Sequence, residues 1–398
     1  MYERAQVQTI SNRMSELENP LLQVVVGPRQ TGKSTMVAQA LAYQQCESVY
    51  VSADDPIEPS VSWLATEWQQ ARNMTRGNKV PVVLAIDEIQ KVKGWPRIVK
   101  SLWDEDRRAD NKLKVVLSGS SSLLLHKGLE DSLMGRFELI RSPHWSYQEC
   151  RDAFGYSLED YLYFGGYPGA ARLVSDEQRW SSYIRDAVIE PTISQDVLAL
   201  EDVRKPALMR ALFRLGALYS GQELSFNKML GQLQDAGNTT TLAHYLDLLG
   251  KAGMIAALPK YHAKELERRK SSPRLMVYDT ALMCAISDKS RERLLGESDL
   301  RGHVVESAVG AYLLARSSSE GFEVSWWREG NYEVDFVLQQ GTALSAIEVK
   351  SGAESRQSGM LKFLEKHPKA RRIIVGGSSA GSCSLEDFLL GKVSLFWE

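Results

Sequence analysis

Eight consecutive residues, Gly27-Pro28-Arg29-Gln30-Thr31-Gly32-Lys33-Ser34, have the spacing G-x-x-x-x-G-K-[ST] of a phosphate-binding loop. Glycines let backbone N–H groups turn inward around phosphate oxygens, and a helix beginning at Thr35 would point its positive end at them. Lys33 can reach the β- and γ-phosphates of a nucleotide, and the Ser34 hydroxyl can hold Mg²⁺. Downstream, the apolar run 82–86 ends in Asp87-Glu88. Carboxylates at the C-terminal end of a buried strand lie where open α/β sheets bind ligands. Asp87 would hold Mg²⁺ through water, and Glu88 would orient or polarise the attacking water. A third chemical constellation lies near the C-terminus, where Asp335, Glu348 and Lys350 fall on two apolar segments separated by Gln339-Gln340-Gly341. Residues two apart in a strand share a face, so Glu333 lies with Asp335 and Glu348 with Lys350. Hairpin pairing would bring Asp335, Glu348 and Lys350 together. Two carboxylates can hold Mg²⁺, and the lysine can stabilise charge on a phosphodiester.

The elements that must position these residues follow from periodicity. Val7, Ile10, Met14 and Leu17 predict a helix over 2–19, and 21–26 reads as the strand entering the phosphate loop. Strands are predicted at 48–53, 81–88, 114–120 and 137–141, and helices at 35–43, 61–72 and 94–105. Ser118 or Ser120, at the end of the fourth strand, can touch the γ-phosphate or the lytic water; Ser120 is the preferred candidate.

The loop GPRQTGKS, the strands LAIDEIQ and VVLSGSS, Met134-Gly135-Arg136-Phe137 and Gly165-Gly166-Tyr167-Pro168 occur in this order. Together they resemble the prokaryotic AAA-type ATPases that carry a C-terminal domain of unknown function 4143, over nearly the whole chain. That resemblance implies an α/β fold: a P-loop AAA-type ATPase core at 1–145, a helical lid at 146–200, a winged helix at 201–262 and an α/β nuclease-like domain at 263–398. It also implies an arginine near the end of the core that senses the γ-phosphate in cis or across a subunit interface. Arg136 is the candidate, a salt bridge within the fold being the alternative.

Residues 146–200 are rich in aromatics, which points to packing, with Gly165-Gly166-Tyr167-Pro168 as a structural turn. Three short helices at 206–219, 225–233 and from 239, followed by a β-wing at 253–255 and 258–261, make the winged-helix reading. Lys264, Arg268, Arg269, Lys270 and Arg274 form a basic patch suited to DNA phosphates. A helix over 301–316 carries Glu306 in an apolar stretch, and a helix and strands at 371–375 and 393–397 would complete the domain. The ordered set of Glu306, Asp335, Glu348 and Lys350 resembles the PD-(D/E)XK nuclease superfamily, although Val334 stands where proline is expected. The resemblance implies Asp335 and Glu348 as metal ligands, Lys350 as the catalytic lysine and Glu306 as a supporting acid of a second Mg²⁺ or Mn²⁺ site.

The 398 residues are 43% hydrophobic and 25% charged with a net charge of −2, so any DNA contact must come from a local patch. Cys46, Cys150, Cys284 and Cys383 are too dispersed for a zinc site or disulfide framework. No apolar run approaches the ~20 residues of a membrane span, and Met1-Tyr2-Glu3-Arg4 lacks a signal-peptide pattern, so a cytoplasmic protein is expected. The leading expectation is a DNA-associated ATPase, possible as a homo-oligomer, with a Mg²⁺-dependent nuclease-like domain. The alternative is an ATP-driven switch or scaffold whose nuclease-like fold only binds DNA or a protein partner.

Overall fold

A computed structural model describes residues 1–16, 21–54, 59–75, 81–119, 133–198, 203–234, 237–262, 271–350, 358–377 and 381–397. These residues form two compact units, Met1–Pro143 and His144–Glu398.

The first unit is a parallel sheet between two helical layers. Its strands are β1 (Leu22–Val26), β2 (Ser48–Ser52), β3 (Val82–Asp87), β4 (Leu113–Gly119) and β5 (Phe137–Arg141), in the spatial order β2-β3-β4-β1-β5. Helices α1 (Ala5–Ser15), α2 (Lys33–Ala42), α3 (Val61–Thr75) and α4 (Trp95–Ala109) cover it. Alternation along the central strands splits the core in two. Val24, Val26, Leu84, Ile86 and Leu117 pack with Leu64, Trp68 and Val99. On the other face, Val25, Val83, Ala85 and Val116 pack with Val7, Ile10, Met36 and Val37. Strands buried on both faces read as continuous apolar runs, which is why they were legible. The order places β4 between β1 and β3, so the ends of the phosphate-loop strand and the Asp87 strand flank Gly119.

The second unit begins with α5 (Tyr147–Phe154), α6 (Leu158–Phe164) and α7 (Glu177–Tyr183), continued by π-helical turns over Ile184–Ile189 and Thr192–Val197. The aromatic residues here are packing: Tyr163, Phe164 and Trp180 meet with ring centroids 5.0–5.1 Å apart. The Gly-Gly-Tyr-Pro segment is a structural turn. Gly165 has φ 65° and ψ −159°, and a Cβ there would lie 1.9 Å from Asp279 Oδ1. A Cβ on Gly166 would lie 2.3 Å from the Trp145 carbonyl. Asp279 is 3% exposed and accepts from the Gly166 and Ala281 N–H groups, each at 2.8 Å.

Helices α8 (Pro206–Leu218), α9 (Phe226–Gln232) and α10 (Thr239–Lys251) follow, with β6 (Ile255–Leu258) antiparallel to β7 (Arg274–Val277). This ribbon differs from the expected wing: its second strand is 274–277, not 258–261. Turns about Gly253 close onto α10 through Met254 N–H and Leu249 O, and four-residue strands carry too short an alternation to place from sequence. After α11 (Thr280–Cys284) and α12 (Arg291–Gly296), α13 (Ser298–Glu320) precedes a sheet of order β11-β10-β9-β8. Its strands are β8 (Glu323–Glu329), β9 (Tyr332–Gln340), β10 (Ala343–Lys350) and β11 (Arg371–Gly376); only the β10–β11 pair is parallel. Helix α14 (Ser358–Lys366) packs Met360 and Phe363 against Val334, Val337 and Ala346, and α15 (Leu385–Leu389) follows β11.

Strand β8 was not anticipated, because a register shift between Ser325 and Trp327 buries Trp326 and Trp327 in succession and hides the alternation. The expected final strand at 393–397 is not one. That tail is held by side chains instead: Ser345 Oγ donates to Leu395 O, and Arg371 Nη1 donates to Phe396 O at 2.7 Å.

Gly165→Ala is expected to lower unfolding free energy by about 1–3 kcal/mol from backbone conformation alone, before the Asp279 clash is added. Gly231→Ala, in α9 with open space around it, should be neutral or stabilise by about 0.4–1 kcal/mol. Urea melts of both variants check this; equal destabilisation would contradict it.

Candidate functional site

The phosphate loop leaves the buried strand β1 and turns back at once. A Cβ on Gly27 would lie 2.1 Å from the Ser142 carbonyl, so only glycine permits that approach. Gln30 (φ 59°) and Gly32 (φ 87°) adopt left-handed backbone conformations that finish the turn, and Lys33 starts α2. Lys33 is 6% exposed, and its Nζ donates to the Pro28 carbonyl at 2.6 Å, folded across the loop that it would release for a phosphate. Thr31 is fully buried; its hydroxyl donates to Pro28 O at 3.1 Å and lies 3.2 Å from Ser142 Oγ.

Arg4 supports this arrangement. It is 2% exposed and donates from Nη1 to Ser142 Oγ (3.0 Å), Pro143 O (3.1 Å) and Thr31 O (3.4 Å). Sequence reasoning passed over it as part of an N-terminal helix; its partners lie at distant positions in the chain.

At the end of β3, Asp87 is 4% exposed. Its Oδ1 accepts from Ser118 Oγ (2.6 Å) and Glu88 N–H (3.0 Å), and its Oδ2 from Tyr50 OH (2.8 Å). Burial pushes the Asp87 pKa up, but hydrogen bonds from Ser118, Ser34, Tyr50 and the Glu88 N–H outweigh it and hold the carboxyl below its ordinary value. Burial, then the bond to Asp87, push the Tyr50 phenol up, so it stays a donor. The hydroxyl of the phosphate loop and the carboxylate of β3 are thus within one hydrogen-bonded group, and both are hard oxygen donors that fit Mg²⁺. Glu88 takes φ 52°, a conformation that a non-glycine residue adopts at a cost. Gln90 Nε2 donates to its Oε2.

Of the two serines considered, Ser118 is the one in this group, and Ser120 lies outside the described residues. Arg136 is not brought to the loop within its own chain. It precedes β5, and its carbonyl accepts from Leu22 N–H at the entry end of β1, one strand length (~16 Å) from the phosphate loop. Its guanidinium pairs with Asp104 (Nε–Oδ1 2.9 Å) and lies 5.7 Å over the Trp103 ring, which is a role in the fold.

In the second unit, β9–β10 pairing runs to Ile347 opposite Phe336, so Asp335 and Glu348 come next in register. Asp335 Oδ2 accepts from Val349 N–H at 2.8 Å, and Lys350 Nζ pairs with Glu348 Oε1. Glu306, on α13, joins them through Arg274. Arg274 corrects its assignment to a DNA-facing patch: it is 2% exposed and points into the carboxylates. Nη1 lies 2.9 Å from Glu306 Oε1 and 3.7 Å from Asp335 Oδ1, and Nη2 pairs with Glu333. Lys264, Arg268, Arg269 and Lys270 lie outside the described residues. Burial, then the Asp335 charge, raise the Glu306 pKa, with Arg274 opposing. Burial also raises that of Glu348, against the pull of Lys350. The Glu348 Oε2 atom is buried without a hydrogen-bond partner. Among the described residues no group of three or more His, Cys, Asp or Glu side chains is placed to hold a metal ion. Glu306, Asp335 and Glu348 come together as expected, but the Arg274 guanidinium stands at the first two and the Lys350 ammonium at the third, and the set does not fit a divalent ion.

Three family models match in succession: an AAA domain over 19–151, a domain of unknown function (DUF8612) over 155–293 and a domain of unknown function (DUF4143) over 301–387. The chain thus carries an AAA-type P-loop domain and a C-terminal DUF4143 domain. Among curated proteins, an uncharacterised protein of Haemophilus influenzae is 22% identical over 83% of this chain and 83% of its own length. One from Mycobacterium tuberculosis is 29% identical over 69% of this chain, and that match spans 56% of the mycobacterial protein. The Walker-type ATPase of Pyrococcus abyssi is similar in structure, with a TM-score of 0.46 and 15% identity over 72% of this chain and 95% of that one. No helix among the described residues is long and apolar enough to cross a membrane.

Arg4→Met should weaken binding of a fluorescent ATP analogue about tenfold, since three acceptors around the loop lose their shared donor. Circular dichroism should show an intact fold. Unchanged affinity would remove Arg4 from the site.

Proposed function

We propose that this protein is an ATP-hydrolysing switch that acts on DNA, and that its C-terminal nuclease-like domain binds without cutting. The observation that carries the ATPase reading is the hydrogen-bonded group of Ser34, Asp87, Ser118 and Tyr50 beside the phosphate loop. Pro28 apart, which has no N–H, the backbone N–H groups of residues 27–35 would hold the phosphates with Lys33 swung off Pro28 O. Held between Ser34 and Asp87, Mg²⁺ would neutralise charge on the β- and γ-phosphate oxygens. Glu88, displaced from the strand axis by its left-handed conformation, would orient the attacking water.

Support for DNA contact comes from α8, α9 and α10 followed by the β6–β7 ribbon, the element order of a winged helix. In sequence, Lys264, Arg268, Arg269 and Lys270 fall between the two strands of this ribbon, and a basic run of that kind would suit DNA phosphates. On α10 itself, His244 is exposed, while Asp247 pairs with Lys251 at 2.8 Å and offsets its charge. The Arg274-filled carboxylate cluster favours the non-cleaving reading of the C-terminal domain over the metal-dependent one.

Glu88→Gln should bind ATP yet turn it over about a hundredfold more slowly or worse, while Lys33→Ala should lose binding itself. Nucleotide titration beside phosphate release separates the two, and a Glu88→Gln variant with full turnover would overturn the assigned role. Fluorescence anisotropy with duplex DNA should show affinity falling steeply with salt and weakened by replacing Arg268 and Arg269 with Gln. Affinity indifferent to both would remove DNA from the proposal.

A further inference from the structure

The acids of the C-terminal domain are arranged around a residue that is itself a cation. Arg274 sits on β7, the second wing strand, and reaches carboxylates on α13 and β9. Besides its contacts with Glu306, Glu333 and Asp335, Nη1 donates to the Asp335 carbonyl at 3.3 Å, and the guanidinium lies 5.1 Å over the Trp326 ring. A second arginine, Arg328, pairs with Glu333 and Glu223 at the edge of the group. Lys350 occupies one oxygen of Glu348, and the Val349 N–H occupies one of Asp335.

We propose that this constellation is metal-free, with Arg274 as the resident cation in the place that a divalent ion would otherwise take. Three physical points support it. Each acid already faces a positive partner: Glu306, Glu333 and Asp335 face Arg274, and Glu348 faces Lys350. A guanidinium does not give up its proton in a protein, so it cannot vacate its charge for an incoming ion. A divalent ion bridging Glu306 and Asp335 would have to enter against a full positive charge 2.9 Å from one of them, in a site where water screens poorly. The buried, unpartnered Glu348 Oε2 is the remaining opening for a small cation.

The inference shares with the proposed function the reading of this domain as non-cleaving. Its test uses neither ATP nor DNA, so the two can fail separately. Full-length protein without nucleotide is titrated with Mn²⁺, free Mn²⁺ being followed by electron paramagnetic resonance. Wild type and Asp335→Asn should bind Mn²⁺ identically. Arg274→Gln should gain a site about tenfold tighter or more, lost again in Arg274→Gln/Asp335→Asn. Wild-type binding that depends on Asp335 would overturn the proposal, as would a folded Arg274→Gln with no added affinity. Melting curves report whether Arg274→Gln folds. If it does not, the wild-type comparison with Asp335→Asn still decides.

Discussion

Burying a carboxylate at the end of a strand costs several kcal/mol unless donors surround it, and Asp87 is only 4% exposed. Its donors come from separate elements: Ser118 lies near the end of β4, Tyr50 stands on β2, Ser34 lies in the first turn of α2, and Glu88 follows Asp87 itself. Only a sheet ordered β2-β3-β4-β1 sets neighbours on both sides of β3 while the phosphate loop arrives one strand further on. The same constraint keeps the carboxylate ionised and aimed towards the loop. Gly27 and Arg4 fix the loop's other side, one by the absence of a side chain and the other by a buried guanidinium. The geometry around Asp87 and the packing of this unit are therefore one arrangement.

The second unit solves the burial of acids differently. Its carboxylates are compensated by side chains of the chain itself, chiefly Arg274 and Lys350. Because Arg274 belongs to the β6–β7 ribbon, the cluster also ties that ribbon to α13 and β9. Ser220 adds a second tie, accepting from Val277 N–H at 3.1 Å and lying 2.8 Å from Ser307 Oγ on α13. The cluster thus also joins two elements.

The phosphate loop and the Asp87 strand were legible because their chemistry is contiguous and a strand buried on both faces leaves an unbroken apolar run. Arg4 and Tyr50 were not, since each acts on residues far away in sequence and neither belongs to a local motif. Arg274 was misread because it closes a basic run, and a charge run ordinarily faces water; only the pairing of 255–258 with 274–277 turns it inward. Arg136 looked like a sensor by its place near the end of the core, but parallel pairing of β5 with β1 sets it at the entry end of β1, away from the phosphate loop of its own chain. The bulge at Ser325 hid β8, and side-chain bonds to the tail took the place of the strand expected at 393–397. Asp335, Glu348 and Lys350 were brought together as the hairpin register required, while the cation among them came from outside the hairpin.

The most direct measurement follows ATP turnover and DNA integrity in one reaction containing the full-length protein, Mg²⁺, ATP and supercoiled plasmid. The expected result is phosphate release that Asp87→Asn abolishes, with the plasmid left supercoiled. Nicking or linearisation that disappears in Asp335→Asn, or an absence of phosphate release under any condition, would contradict an ATP-driven protein that grips DNA without cutting it.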